Sequence, residues 1–219
     1  MKLFPRVESD IPERLRQRLL EIEPATIGHY LHFGFMDPKI QPVFSNVKIV
    51  GSAFTVKAVA NDSAIVHKAV SLAEEGDVLV IDRAGDRRHA CVGEMVAYAA
   101  KVRKLAGIII DGPSTDVQAI REMNFPVFST GLSAVTTKLL GLDGEINTPV
   151  QCGGVCVHPG DLIFADDNGI VVLPGGVNLN PLLDRCETSQ RNEPGMKQKL
   201  DEGTPLSAIT EVDRFFENN

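Results

Sequence analysis

Tryptophan is absent from this 219-residue chain, tyrosine appears only twice, and no apolar run approaches the roughly 20 residues that span a bilayer. Cations are outnumbered, 22 Lys and Arg against 29 Asp and Glu, for a net charge of -7. The adjacent pair Arg87 and Arg88 makes no patch, so the basic face needed to hold nucleic acid is missing. Cysteines are few and scattered, at 91, 152, 156 and 186, which excludes a disulfide framework and fits reduced thiols in a cytosolic protein. Cys152 and Cys156 lack the second pair that zinc would want, and His29 and His32 have no acidic or cysteine partner nearby in sequence. No Gly-x-Gly-x-x-Gly follows a strand, no phosphate-loop lysine motif is present, and Ser-His-Asp catalysis has no local support. Residues 1–10 carry charge and a proline but no apolar core, so no secretory signal is expected and the cytoplasm is the expected location.

What is present reads as one domain over residues 1–219, with its core at about 25–175. Ile11, Leu15, Leu19 and Ile22 recur at helical steps, predicting an N-terminal helix over 10–22 with Asp10 as N-cap and Pro12 in the first turn. A second short helix is expected over 25–31, and a loop over 36–45. Residues 47–60 read as strand with a bulge or bend at Gly51. Asn61-Asp62-Ser63 then caps a helix over 64–75, followed by strand 78–81, a polar loop, helix 92–105, strand 107–110, helix 117–123 and strand 126–129. This alternation predicts a mostly parallel sheet with helices on its faces. From Gly131 to Pro174 the pattern turns β-rich, with Asn168-Gly169 as a hairpin signal. It either curls into a small barrel or extends the sheet. A helix is expected over 178–190, followed by a charged tail to 219.

The stretch from Gly93 to Asp116 organises the chain. It reads loop, helix, strand, loop, helix, with free amides at one helix start and carboxylates at the carboxyl end of a buried strand. Donors for an anion beside a carboxylate for a cation make a small-molecule site. Each residue also has a plainer role: Asp116 as N-cap of the helix from Val117, Glu94 as a first-turn acid favoured by the helix dipole, Gly93 as a tight turn.

Glu94, the twenty residues 95–114, then Thr115 and Asp116, resemble the motif of the family that holds class II 4-hydroxy-4-methyl-2-oxoglutarate aldolases and the regulators of ribonuclease E activity. There the motif is an acid, twenty residues, then Arg-Asp. The resemblance runs from about Val47 to Pro174 and is carried also by Gly76 to Val80, Gly93 to Val96, Asp111-Gly112, Pro126 to Phe128, Pro149 to Val155, Pro159 to Leu162 and Asp166 to Gly169. It implies an αββα sandwich, parallel βα units followed by a β-rich, barrel-like portion, assembled as a homotrimer or hexamer with sites between subunits. It implies a divalent metal, Mg²⁺ or else Mn²⁺, held directly by Asp116 and through water by Glu94. It places the carboxylate of a small 2-oxo acid on the backbone of Gly93, Glu94, Met95 and Val96.

The implied reaction is retro-aldol cleavage of a 4-hydroxy-2-oxo acid to pyruvate, in which a metal stabilises charge on an enolate oxygen. Oxaloacetate decarboxylation passes through the same enolate. Position 115 departs from the family: Thr115 has no charge where an arginine would bind the substrate's carboxylate and keto oxygen. Arg87, Arg88 or a neighbouring subunit is the candidate replacement. Two other readings stand beside the lyase: a non-catalytic protein-binding regulator, and an enzyme of the same fold whose hydroxylated substrate meets Thr115 directly. The regulators the chain resembles lack an aspartate at the position of Asp116, which this chain keeps.

Overall fold

The apolar runs at 78–81 and 107–110 form the middle of a sheet in the computed structural model, which describes residues 1–7 and 11–216. The chain divides into two compact units, Met1–Asn178 and Leu179–Asn219. The first holds β1 (Lys2–Leu3), α1 (Glu13–Glu21), α2 (Pro24–Gly28), β2 (Gln41–Pro42), β3 (Lys48–Ala58), α3 (Ala64–Leu72), β4 (Asp77–Asp82), α4 (Glu94–Val102), β5 (Gly107–Ile110), α5 (Val117–Glu122), β6 (Val127–Ser129), β7 (Gly144–Ile146), β8 (Val150–Cys152), β9 (Val155–Val157), β10 (Leu162–Asp166) and β11 (Gly169–Leu173). The main sheet has the order β1-β7-β3-β4-β5-β6-β2, with β3, β4, β5 and β6 parallel and one helix in each connection.

Side chains alternate across these strands with period two. Leu79, Ile81, Ile108, Ile110 and Val127 face one core with α3, α4 and α5. Val78, Val80, Ile109 and Phe128 face a second core with β8, β9, β10 and β11. Burial on both faces explains why β4 and β5 read as unbroken apolar runs rather than alternating ones. Each fully buried Ile or Val here contributes about 1.5–3 kcal/mol relative to exposure.

Of the two forms expected for the β-rich segment, the structure shows an extension of the sheet by β7, β10 and β11. Ser52 pairs with Leu162 of β10 and with Asp77 of β4, and Val56 with Ile146 of β7 and Ile81 of β4. So one edge of β3 carries β4, while β10 and β7 share the other. β11 hairpins onto β10 through Asp167 and Asn168, as the Asn-Gly signal predicts. β8 and β9 form a separate hairpin that packs on β4, α1 packs on β3, and α2 packs on β10 and β11.

Several local expectations change. β3 runs through Gly51 without a break. A β-carbon there would lie 2.4 Å from the Gly76 carbonyl oxygen and 2.8 Å from Val78 Cγ2, so the glycine serves close packing rather than a bend. The loop over 36–45 contains β2, which pairs with β6, and β7 appears in the β-rich segment where no strand was expected. The expected cap Asp10 lies outside the described residues, and α1 starts after Pro12. In the second unit, α6 (Asn180–Asp201) continues through Pro194 instead of ending near residue 190, despite the roughly 3 kcal/mol that an interior proline costs. α7 (Leu206–Thr210) and a 3-10 turn, Val212–Phe215, follow. Among the described residues no helix is long and apolar enough to cross a membrane.

Candidate functional site

The carboxyl ends of β4 and β5 carry the two loops that matter, as in open α/β sheets generally. Residues 83–93 lead from β4 into α4, and residues 111–116 lead from β5 into α5. Asp116 adopts a left-handed backbone (φ 52°, ψ 38°) at the N-cap of α5 but makes no side-chain capping bond there. Its Oδ2 instead accepts the N–H of Glu94 at 3.0 Å, the first residue of α4. The helix-cap alternative for Asp116 therefore describes its position and not its bonding. Thr115 sits beside it, with Oγ1 3.5 Å from Asp116 Oδ1.

Gly93 is extended (φ -131°), so it is no tight turn. A β-carbon at 93 would lie 2.3 Å from Asp116 Oδ2 and 2.8 Å from Thr115 Cγ2. Glycine is what lets the second loop close on the first. With the Glu94 amide occupied, the N–H groups of Gly93, Met95 and Val96 are left without acceptors among the described residues. Those at Met95 and Val96 open a nine-residue helix, an arrangement suited to an anion. The Glu94 carboxylate is exposed and makes no hydrogen bond or ion pair among the described residues.

One cleft of about 270 Å³ gathers all six residues picked out by the motif: Gly93, Glu94, Met95, Val96, Thr115 and Asp116. The rest of its lining includes Ser63, His67, Thr136, Thr137, Lys138 and Leu139, none of which the motif indicates. Hydrogen bonds lace this wall to the neighbouring loops. Ala90 N–H donates to Val135 O (2.8 Å), Lys138 N–H to Asn61 O (2.8 Å), and Ser63 N–H to Lys138 O (2.9 Å). Asp62, buried, accepts N–H bonds from Ala64 (2.9 Å), Leu140 (3.0 Å) and Leu142 (2.6 Å). Burial opposes its charge, but these bonds hold its carboxyl below the usual range.

Arg87 is not in this cleft. It pairs with Asp111, and both line a separate cleft of about 390 Å³ with Asp37 and Lys39. Arg88 is exposed and lines neither cleft. The expectation that one of them replaces the missing arginine is corrected for this chain's own cleft: neither lines it, and Arg87 is committed to Asp111. Arg83 has no exposure at all; its Nη2 donates to Ala60 O (2.6 Å) and lies 3.5 Å from Asp86 Oδ2. Cys91 lines the cleft, but burial pushes its thiol up to about 11, so it is protonated at neutral pH. Cys152 is buried and Cys156 exposed on opposite faces of the β8–β9 hairpin, which rules out a shared zinc.

Among the described residues no three His, Cys, Asp or Glu side chains converge on one point. Glu94 and Asp116 are the carboxylates that line the cleft, a pair that suits a hard cation keeping most of its waters.

A family model described as RraA-like, Aldolase/RraA, matches residues 26–172. A protein of Halalkalibacterium halodurans, named provisionally as a 4-hydroxy-4-methyl-2-oxoglutarate aldolase, is 37% identical over 161 residues, covering 74% of this chain and 76% of that one. The fold is similar to an uncharacterised protein from Pseudomonas syringae pv. tomato (TM-score 0.78, 21% identity, 95% of this chain and 98% of that one). It is also similar to the RNA-processing inhibitor RraA from Thermus (TM-score 0.61, 26% identity, 66% of this chain and 87% of that one).

Proposed function

This chain belongs to the RraA-like (Aldolase/RraA) family, and on that premise we propose that it is a divalent-metal-dependent lyase that cleaves a 4-hydroxy-2-oxo acid to pyruvate and decarboxylates oxaloacetate. The observation that carries the reading is the meeting, in one cleft, of the Glu94 and Asp116 carboxylates with the unpaired N–H groups that open α4.

Magnesium, or manganese in its place, suits one or two carboxylates and several waters. Asp116 would hold it directly and Glu94 would hold its waters. When bound, it supplies Lewis acidity to the oxygen on which charge develops as the carbon–carbon bond breaks. The Glu94 N–H keeps the Asp116 carboxylate aimed into the cleft. Met95 and Val96 offer their amides to the substrate carboxylate, while the Glu94 amide is committed to Asp116. The buried, protonated Cys91 thiol is part of the wall and moves no proton at neutral pH.

Completion of the site by a second subunit of a trimer or hexamer is part of the proposal. Large apolar side chains stand exposed on α4 (Met95, Tyr98 and Val102) and on the loop 131–142 (Leu132, Leu139 and Leu142), and of these Met95 and Leu139 line the cleft. The regulator reading, suggested by the similarity to RraA, predicts assembly without turnover. The distinguishing experiment is pyruvate release from oxaloacetate: it should stop in excess chelator and return with Mg²⁺ or Mn²⁺.

A further inference from the structure

The cleft that would receive an oxo acid has two carboxylates and, at position 115, no arginine, so its anion-binding charge must come from elsewhere. The cations near the loops are accounted for. Arg87 is paired with Asp111 in the other cleft, Arg83 is buried against Ala60 and Asp86, and Arg88 lines neither cleft. Two basic residues line the cleft itself, His67 and Lys138.

Three observations bear on Lys138. It is the only charged residue in the twenty-residue stretch 123–142, an otherwise uncharged loop. Its backbone is fixed on both sides, its N–H donating to Asn61 O at 2.8 Å and its carbonyl accepting the Ser63 N–H at 2.9 Å. Its exposed side chain makes no ion pair among the described residues, so its charge is available to an anion in the cleft.

We infer that Lys138 is the substrate-binding cation of this cleft, contacting the carboxylate of a small 2-oxo acid in place of the arginine absent at 115. The inference rests on the lyase reading and deepens it. An ammonium on a flexible stem supplies charge without the two-pronged geometry of a guanidinium. Lys138 is therefore suited to anchor the carboxylate while Thr115 leaves the space beside the keto oxygen open to a neutral contact.

The test uses the full chain and oxalate, a small dicarboxylate probe, titrated calorimetrically in saturating Mg²⁺. Lys138→Met should weaken oxalate binding by ~10-fold or more, since one charge-assisted contact is lost. Lys138→Arg should restore it to within a few-fold. Thr115→Arg should help more in the Lys138→Met background than in the wild type, because the two cations serve one anion. Lys101→Met, an exposed lysine on α4 outside the cleft, controls for general charge and should change nothing. Thermal melts check that each variant is folded. Wild-type binding that survives unchanged in a folded Lys138→Met protein overturns the role of Lys138 and leaves the lyase reading standing. No Mg²⁺-dependent binding by the wild type, together with no pyruvate from oxaloacetate, overturns both.

Discussion

The Asp116 carboxylate accepts the backbone N–H of Glu94 at 3.0 Å, so the residue that precedes α5 fastens the start of α4. This bond joins the two ends of the motif across 22 positions of sequence. It orients a carboxylate that would otherwise swing with an exposed loop. It also explains Gly93, because any side chain there occupies the volume that the Asp116 oxygen needs.

Gly93→Ala should therefore separate the site from the fold. The added methyl would fall 2.3 Å from Asp116 Oδ2, so the carboxylate must turn away. We expect oxaloacetate decarboxylation to drop ~100-fold, about 2.7 kcal/mol of transition-state stabilisation. Overpacking should cost about 1–3 kcal/mol of stability. Steady-state kinetics with thermal melts checks both numbers. A folded Gly93→Ala protein of full activity would mean that the Asp116–Glu94 contact is dispensable.

Thr115→Arg should raise kcat/KM for oxaloacetate by ~10- to 100-fold, about 1.4–2.7 kcal/mol, if the wild type is an aldolase weakened at this position. If Thr115 serves a different hydroxylated substrate, the bulky cation should block that substrate and help nothing else. A folded, metal-binding variant without gain favours the second case.

Asp86 makes stability depend on acid. Burial opposes its charge, but the N–H groups of Arg88 and His89 and the His89 ring hold its carboxyl down to about 2, against an ordinary 3.8. Its pKa is lower in the folded state than in the unfolded one. The stabilisation is therefore complete above about pH 4 and fades as pH falls toward about 2. Asp86→Asn also removes the one carboxylate in ion-pair range of buried Arg83 among the described residues, and should cost about 3 kcal/mol at pH 7. Denaturant melts of both proteins should show that gap narrowing between about pH 4 and pH 2. A gap independent of pH would refute the assignment.

The parallel half of the fold is legible because β4 and β5 are apolar on both faces, a signal that survives without any partner in view. Gly51 is not: a strand glycine can mean a bend or a close neighbour, and the Gly76 carbonyl that decides between them comes from another loop. Half of the site follows the same division. Glu94 and Asp116 are read from a fixed spacing, whereas His67 reaches the cleft from α3 and Thr136 and Lys138 from a loop tied to its neighbours by backbone hydrogen bonds that leave no pattern in sequence. Arg87 illustrates the converse. It is close in sequence to Gly93, yet the turn at 84–89 sends it to Asp111.

Assembly gives a further expectation. With Met95, Tyr98, Val102, Leu132, Leu139 and Leu142 exposed, light scattering at micromolar concentration should report a trimer or hexamer. Tyr98→Glu, which places a charge in the middle of the α4 face, should shift the particle toward monomer and lower activity with it. A monomeric wild type would contradict the shared site.

The central claim is that Asp116 holds a divalent metal against a bound 2-oxo acid. Crystals grown with Mn²⁺ and oxalate test it most directly, since the anomalous signal locates the metal and the oxalate stands in for the pyruvate unit. We predict Mn²⁺ coordinated by an Asp116 oxygen, with Glu94 one water away and an oxalate carboxylate at the N–H groups of Met95 and Val96. Mn²⁺ bound away from Asp116, or oxalate lodged instead beside Arg87 and Asp111 in the other cleft, would contradict the account.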